Sequence, residues 1–360
     1  MNVPKIRFSN FSDDYIIKDV SEITSNISSG KISKQLEDGE YNVYGSMGII
    51  GKSNFYDYTG EKVLVARVGA NAGSVNKINE NCCISDNTLV LEPKDILNDY
   101  LYYSLSHYNP KKLIFGSGQP LVTGGQLKKV QLGIPCKEEQ AKVSNFLSLL
   151  DKKIELQSKK IEDLKLFKLY TKNQIFKDYD EIFKLKDILV KWNKKNKNNS
   201  VKYVESINNK YGFISQSDQF EDRNVASKDL NNYYIIEKGV FGYNPSRLNV
   251  GSLALKTNDK VSVVSPLYEC FTTTQNNQYL LEWFDSKYFR KETISKFEGG
   301  VRNTLNFSNL CEIEIGLPTI EKQNMYSRIF KIFNNKIEFE VKKLYKLQEL
   351  KKGLLQSMFV

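Results

Sequence analysis

The residues able to carry out bond chemistry are sparse in this chain. Its single histidine, His107, lies in an aromatic stretch, Tyr102-Tyr103-Ser104-Leu105-Ser106-His107-Tyr108, and reads as structural. One imidazole rules out multi-histidine metal sites. No G-x-x-x-x-G-K-[ST] phosphate loop and no G-x-S-x-G nucleophile elbow is present. The glycines at 45, 48 and 51 and the run Gly69-Ala-Asn-Ala-Gly73 do not match a dinucleotide fingerprint; they read as turns between strands. Asn244-Pro245-Ser246-Arg247 lacks the second proline and the aromatic of the Asn-Pro-Pro-aromatic loop used in amino-group methylation. Acidic pairs such as Asp13–Asp14 and Glu221–Asp222 form no nuclease-like constellation.

The polar residues suit recognition better than catalysis. Arg67, Asn71 and Ser74 surround one pair of glycines, and Ser117, Gln119 and Thr123 follow Gly116. Asn244, Arg247, Asn249 and Ser252 surround Gly251, and Arg302 and Asn303 follow Gly299-Gly300. Arginine can grip guanine O6 and N7 together, and Asn or Gln can do the same for adenine N6 and N7. Glycine, serine and backbone N–H groups allow close approach to phosphate. Tyr44 and Lys52, in the glycine-bearing stretch 41–56, join these candidates, as do Lys194 and Lys195 in the basic loop 191–197. The formal charge of +10 favours a polyanionic partner.

These loops must be positioned by something, and an internal repeat supplies it. Residues 132–176 align without gaps on 315–359, offset by 183, with 13 of 45 positions identical. Both copies carry apolar residues at alternating spacings of four and three: Leu147, Leu150, Ile154, Ile161, Leu164 in one and Phe330, Phe333, Ile337, Leu344, Leu347 in the other. That is a coiled-coil seam, so two long helices that pair with each other are expected. Polar residues interrupt both seams at matching places, Gln157/Glu340 and Lys168/Lys351. Each helix follows a region rich in short β-type runs, such as 61–75 and 87–93 in one and 232–245 and 260–266 in the other. An aromatic helical stretch lies late in each region, at 98–108 and 278–292.

In this order, with YNVYGSMGIIGKSNFY (41–56), VLVARVGANAGSV (63–75), SDNTLVLEP (85–93), GSGQPLVTGGQLKKVQLGIPCKEEQ (116–140), YNPSRLNVGSL (243–253) and the doubled Pro135…Glu138…Gln140 and Pro318…Glu321…Gln323, the chain resembles the specificity subunits of type I restriction–modification systems. The resemblance implies an α+β fold with a pseudo-twofold repeat. Two β-rich target-recognition domains, 1–134 and 181–317, would be separated by conserved helices, 135–180 and 318–360, forming an antiparallel coiled coil. It implies that each domain reads one half of a bipartite site in double-stranded DNA. The helices would set the spacing and dock two methylation subunits, which restriction subunits join. It implies no cofactor on this chain, with S-adenosylmethionine, ATP and Mg2+ on the partners.

The remaining composition agrees. Five cysteines without a C-x-x-C pair argue against a disulfide framework or a zinc site. No apolar run approaches the roughly 20 residues that span a bilayer, and MNVPKIRFSN lacks a signal-peptide core. No membrane association and a cytoplasmic location are the expectation. Two competing readings are a standalone enzyme acting on nucleic acid and a coiled-coil scaffold that never touches DNA.

Overall fold

The computed structural model describes residues 3–32, 36–45, 48–114, 118–209, 211–216, 229–250, 252–294 and 304–360, with side chains left out at 249 and 250. The chain divides into two compact units, 1–159 with 341–360, and 160–340. Each unit therefore takes a length from both long helices.

Those helices are α3 (Lys137–Ile175) and α7 (Ile320–Met358), each of 39 residues and displaced by 183 at both ends. Every seam position from 147 to 168 and from 330 to 351 is buried or half-buried, polar interruptions included. In the first unit, Val143 and Leu147 near the start of α3 share a core with Met358 and Phe359 at the end of α7. In the second, Ile175 and Phe176 at the end of α3 share a core with Phe330 near the start of α7. Lys160 there lies 2.7 Å from Glu340. In each unit the start of one helix therefore meets the end of the other, as in an antiparallel pair.

The two heads share one frame. In the first, a four-stranded antiparallel sheet runs β2 (Thr24–Ser29), β8 (Thr88–Pro93), β5 (Glu61–Ala66), β6 (Val75–Asn79). The second repeats that order with β11 (Leu189–Lys191), β18 (Glu269–Thr273), β15 (Phe241–Tyr243) and β16 (Leu253–Leu255). A two-stranded ladder closes each head beside its long helix: β1 (Ile16–Asp19) with β9 (Gln131–Ile134), and β10 (Glu181–Lys184) with β19 (Glu314–Leu317). Gly133 and Gly316, identical in the repeat, sit in these ladders, where a Cβ would press on the rings of Tyr15 and Tyr179.

The aromatic stretch at 98–108 is one helix, α1 (Asn98–Tyr108). Its counterpart is broken at Asp285 and Ser286 into α4 (Asn277–Phe284) and α5 (Lys287–Ile294), and a short α6 (Phe307–Cys311) precedes the last strand. Away from the shared sheet the heads differ. The first adds β3 (Tyr41–Gly45), β4 (Gly48–Ser53) and β7 (Cys82–Ile84) as one sheet. The second adds two ladders, β12 (Glu205–Asn208) with β13 (Gly212–Ser215), and β14 (Tyr234–Ile236) with β17 (Ser262–Val264).

Candidate nucleic-acid interface

The two polar loops singled out from the sequence connect equivalent strands. Residues 67–74 join β5 to β6, and residues 244–252 join β15 to β16. The first loop is held tightly: Ala66 N–H donates to Ser74 O (2.8 Å), Gly73 N–H to Ala66 O (2.8 Å) and Ser74 N–H to Asn71 O (3.0 Å). Gly73 has φ +81°, and a Cβ there would lie 2.5 Å from the Lys111 backbone nitrogen. Only glycine satisfies both demands.

A second strip of chain is fastened to this loop. Gly69 N–H donates to Pro120 O (3.1 Å) and Val122 N–H to Arg67 O (2.8 Å). The loop carrying Arg67 and Asn71 is thereby joined to the strip carrying Gln119. Asn71 and Gln119 are exposed and Arg67 is half-buried. Their side chains make no hydrogen bond or ion pair among the described residues. They form a connected set of a cation and two amides on a stiff backbone, suited to base edges and phosphates.

The second head repeats the arrangement with other residues. Asn244 N–H donates to Ser252 O (3.1 Å), Ser252 N–H to Arg247 O (3.2 Å) and Leu305 N–H to Pro245 O (3.1 Å). Leu305 is the repeat partner of Val122, so both loops are pinned from the same place in the chain. Asn244 Oδ1 accepts from Ser246 N–H (3.0 Å). Arg247 is exposed, without a side-chain partner among the described residues, whereas Ser252 is buried and serves to close the loop. Ser117, Arg302 and Asn303 lie outside the described residues, as does the side chain of Asn249.

Other candidates are engaged within the protein. Thr123 caps α2 (Gly124–Lys128): its hydroxyl accepts from Gln126 N–H, and its own N–H donates to Gln126 Oε1 (2.8 Å). Tyr44 and Lys52 come together at one network. Tyr44 donates to Glu80, Lys52 Nζ to Asn42 Oδ1 (2.9 Å), and Asn42 to Glu80 (3.1 Å). Hydrogen bonds from Tyr44 and then Asn42 hold the Glu80 carboxyl below the usual range. Lys194 pairs with Glu237, and Lys195 donates to Asn232 O (2.8 Å) and lies over the Tyr234 ring.

The residues that fasten each head to its long helix are not among those candidates. Gln140 is buried; its Nε2 donates to Pro135 O (2.9 Å) and its Oε1 accepts from Leu97 N–H at the start of α1 (3.0 Å). Gln323 does the same with Pro318 O (2.9 Å) and Asn276 N–H at the start of α4 (3.1 Å). The doubled Pro…Gln element is thus a clamp. His107 stacks on Phe359, ring centroids 5.7 Å apart, and burial lowers its pKa. Among the described residues no group of three potential ligands could hold a metal ion, and no helix is long and apolar enough to cross a membrane.

Comparison with known proteins agrees with this geometry. The family described as type I restriction modification DNA specificity domain matches residues 12–166. A Mycoplasma pneumoniae protein described as a type I specificity subunit is 30% identical over 159 residues, 42% of this chain and 52% of that protein. The matched stretch thus spans about half of that relative. The specificity subunit of the type I restriction enzyme MjaVIII of Methanocaldococcus jannaschii is 25% identical over 334 residues, 82% of this chain and 77% of its own. The crystal structure of a type I restriction–modification S subunit from M. genitalium shares the fold over 99% of both chains, with TM-score 0.65 at 15% identity. Sequence relatives and fold converge: residues 12–166 are a type I restriction–modification DNA specificity domain, and the chain as a whole has the fold of an S subunit of such a system.

Proposed function

We propose that this chain is the non-catalytic, DNA-reading subunit of a type I restriction–modification complex. One head, 1–134, reads one half of a bipartite site and the other, 181–317, reads the second. The observation that carries this reading is the pair of pinned loops at one topological position in two heads. One offers Arg67, Asn71 and Gln119, the other Arg247, so the two heads address different base sequences. Helices 135–180 and 318–360 set the distance between half-sites and dock two methylation subunits, which restriction subunits join. S-adenosylmethionine, ATP and Mg2+ act on those partners, in the cytoplasm.

The test is duplex binding by the chain together with its methylation subunits, using a target defined by a methylome map with and without this gene. A specific reader loses affinity steeply as salt rises, because each phosphate contact releases counterions. Absence of binding in that complex would leave the scaffold reading. Methylation or cleavage by the purified chain alone would establish the standalone-enzyme reading instead.

A further inference from the structure

The clamps made by Gln140 and Gln323 use the same two kinds of hydrogen bond and so do not by themselves tell one head from the other. Two nearby nodes are not alike, and both redistribute charge between the halves.

The first node lies at the helix starts. In the first unit Arg7 Nε and Nη2 donate to the Glu139 carboxylate (2.9 and 2.8 Å), which is 1% exposed and also accepts from Tyr15 (3.0 Å). The repeat partner of Glu139 is Lys322, whose Nζ lies 3.4 Å from both Asp178 and Asp180 in the segment entering the second head. The cation belongs to the head segment in one unit and to the helix in the other.

The second node lies further along. In the first unit Tyr103 on α1 donates to Asp151 Oδ2 (2.7 Å), and Lys351 Nζ lies 2.5 Å from Oδ1. Asn334 and Lys168 are their counterparts by the offset of 183, and Glu282 on α4 answers to Tyr103 by place in the helix, each lying six residues past the backbone N–H that the clamp glutamine holds, Leu97 or Asn276. Asn334 donates to Glu282 Oε1 (3.1 Å), with Lys168 Nζ 3.0 Å from the same oxygen and Lys172 Nζ 3.1 Å from Oε2. Here the carboxylate has moved from helix to head. Lys172, itself buried, corresponds to Leu355, which packs on the apolar core of the first unit.

We propose that these two nodes are an address that fixes which head closes on which helix, and so which half-site is read from which half of the chain. A second head offered to the first unit's helices would set Asp178 and Asp180 against Glu139 and Glu282 against Asp151. A first head offered to the second unit's helices would set Arg7 against Lys322 and leave Lys168 and Lys172 without a carboxylate. Like charges meet at the first node in both exchanges; at the second, two carboxylates meet in one exchange and two lysines lose their carboxylate in the other, and breaking a buried pair one-sidedly is costly. The inference stands on these contacts alone, whatever the heads bind.

The test is a full-length chain in which residues 3–130 and 177–313 trade places while both long helices stay. Its urea midpoint should fall by about 1 M or more. Trading three equivalent helix pairs should recover most of the loss: Glu139→Lys with Lys322→Glu, Asp151→Asn with Asn334→Asp, and Lys172→Leu with Leu355→Lys. An exchanged chain as stable as the original, or one that those six substitutions fail to improve, would overturn the proposal. A second variant tests the node without rearrangement. In the original chain Glu282→Tyr alone should lower the midpoint, and adding Asn334→Asp with Lys172→Leu should restore it; a triple variant no better than the single one also overturns it.

Discussion

The two heads are alike where they are held and unlike where they are presented. Gln140 and Gln323 make the same clamp with the same two kinds of backbone group. The four-stranded sheets repeat strand for strand. Yet the loops at one edge carry Arg67 and Asn71 in one head and Arg247 in the other, and the remaining strands pair differently. A repeated scaffold with unlike tips is what the proposed reading, one subunit with two targets, requires. The comparison can be broken at several points, in order of expected effect.

The largest difference should appear at the charged node. Glu282→Gln leaves Lys168 without a carboxylate and Lys172 with Asp285 alone, whose Oδ2 stays 2.9 Å from its Nζ, a loss of about 1.5–3 kcal/mol for charged hydrogen bonds. Tyr103→Phe at the matching position removes one partly exposed hydrogen bond, about 1 kcal/mol. Urea unfolding of the two variants checks this, and equal losses would show that the nodes are energetically the same. The clamp should behave oppositely. Gln140→Ala and Gln323→Ala each orphan a backbone N–H and a carbonyl, about 2–4 kcal/mol apiece, so here near-equal losses are the expected outcome.

How much of this was legible in the sequence depends on distance along the chain. The helices were legible because a coiled-coil seam is a local period, and both copies obey it through the same polar interruptions. The loop equivalence was legible because glycine turns and β-runs recur in order. The clamp was not. Gln140 meets Leu97, 43 residues upstream, and no local pattern announces that. Arg7 and Glu139 are 132 residues apart and equally hidden. Thr123 carries a different kind of signal: Thr123-Gly-Gly-Gln126 is a capping-box spacing, and that local pattern identifies a helix start. The burial of Ser252 follows from how the loop folds back on Asn244, which residue types alone do not fix.

The loops themselves give a smaller effect and a sharper comparison. Arg67→Ala and Arg247→Ala should each weaken binding by about 1–3 kcal/mol, and each should relax discrimination at one half-site only. Binding to duplexes altered in one half-site or the other checks the separation. A single arginine that governs both half-sites would end the assignment of one head to one half.

Acid should distinguish the units more gently. His107 in the first unit has its pKa lowered chiefly by burial against the end of α7, with a hydrogen bond to the Leu355 backbone opposing the shift. A histidine depressed in the fold binds fewer protons folded than unfolded, so its contribution is whole above about pH 6.5 and is lost as pH falls through the lower folded value. Glu282 in the second unit is depressed despite burial, which alone would raise it, because Lys172 and Lys168 face it. Its contribution is whole above about pH 4.3 and is lost only below that. Between pH 7 and 5, therefore, the histidine acts while Glu282 does not. The urea midpoint of the natural chain should drift down over that interval, and His107→Phe, which keeps the stacking on Phe359, should flatten the drift. An unchanged slope in that variant would place the acid sensitivity outside the His107–Phe359 contact and remove this difference between the units.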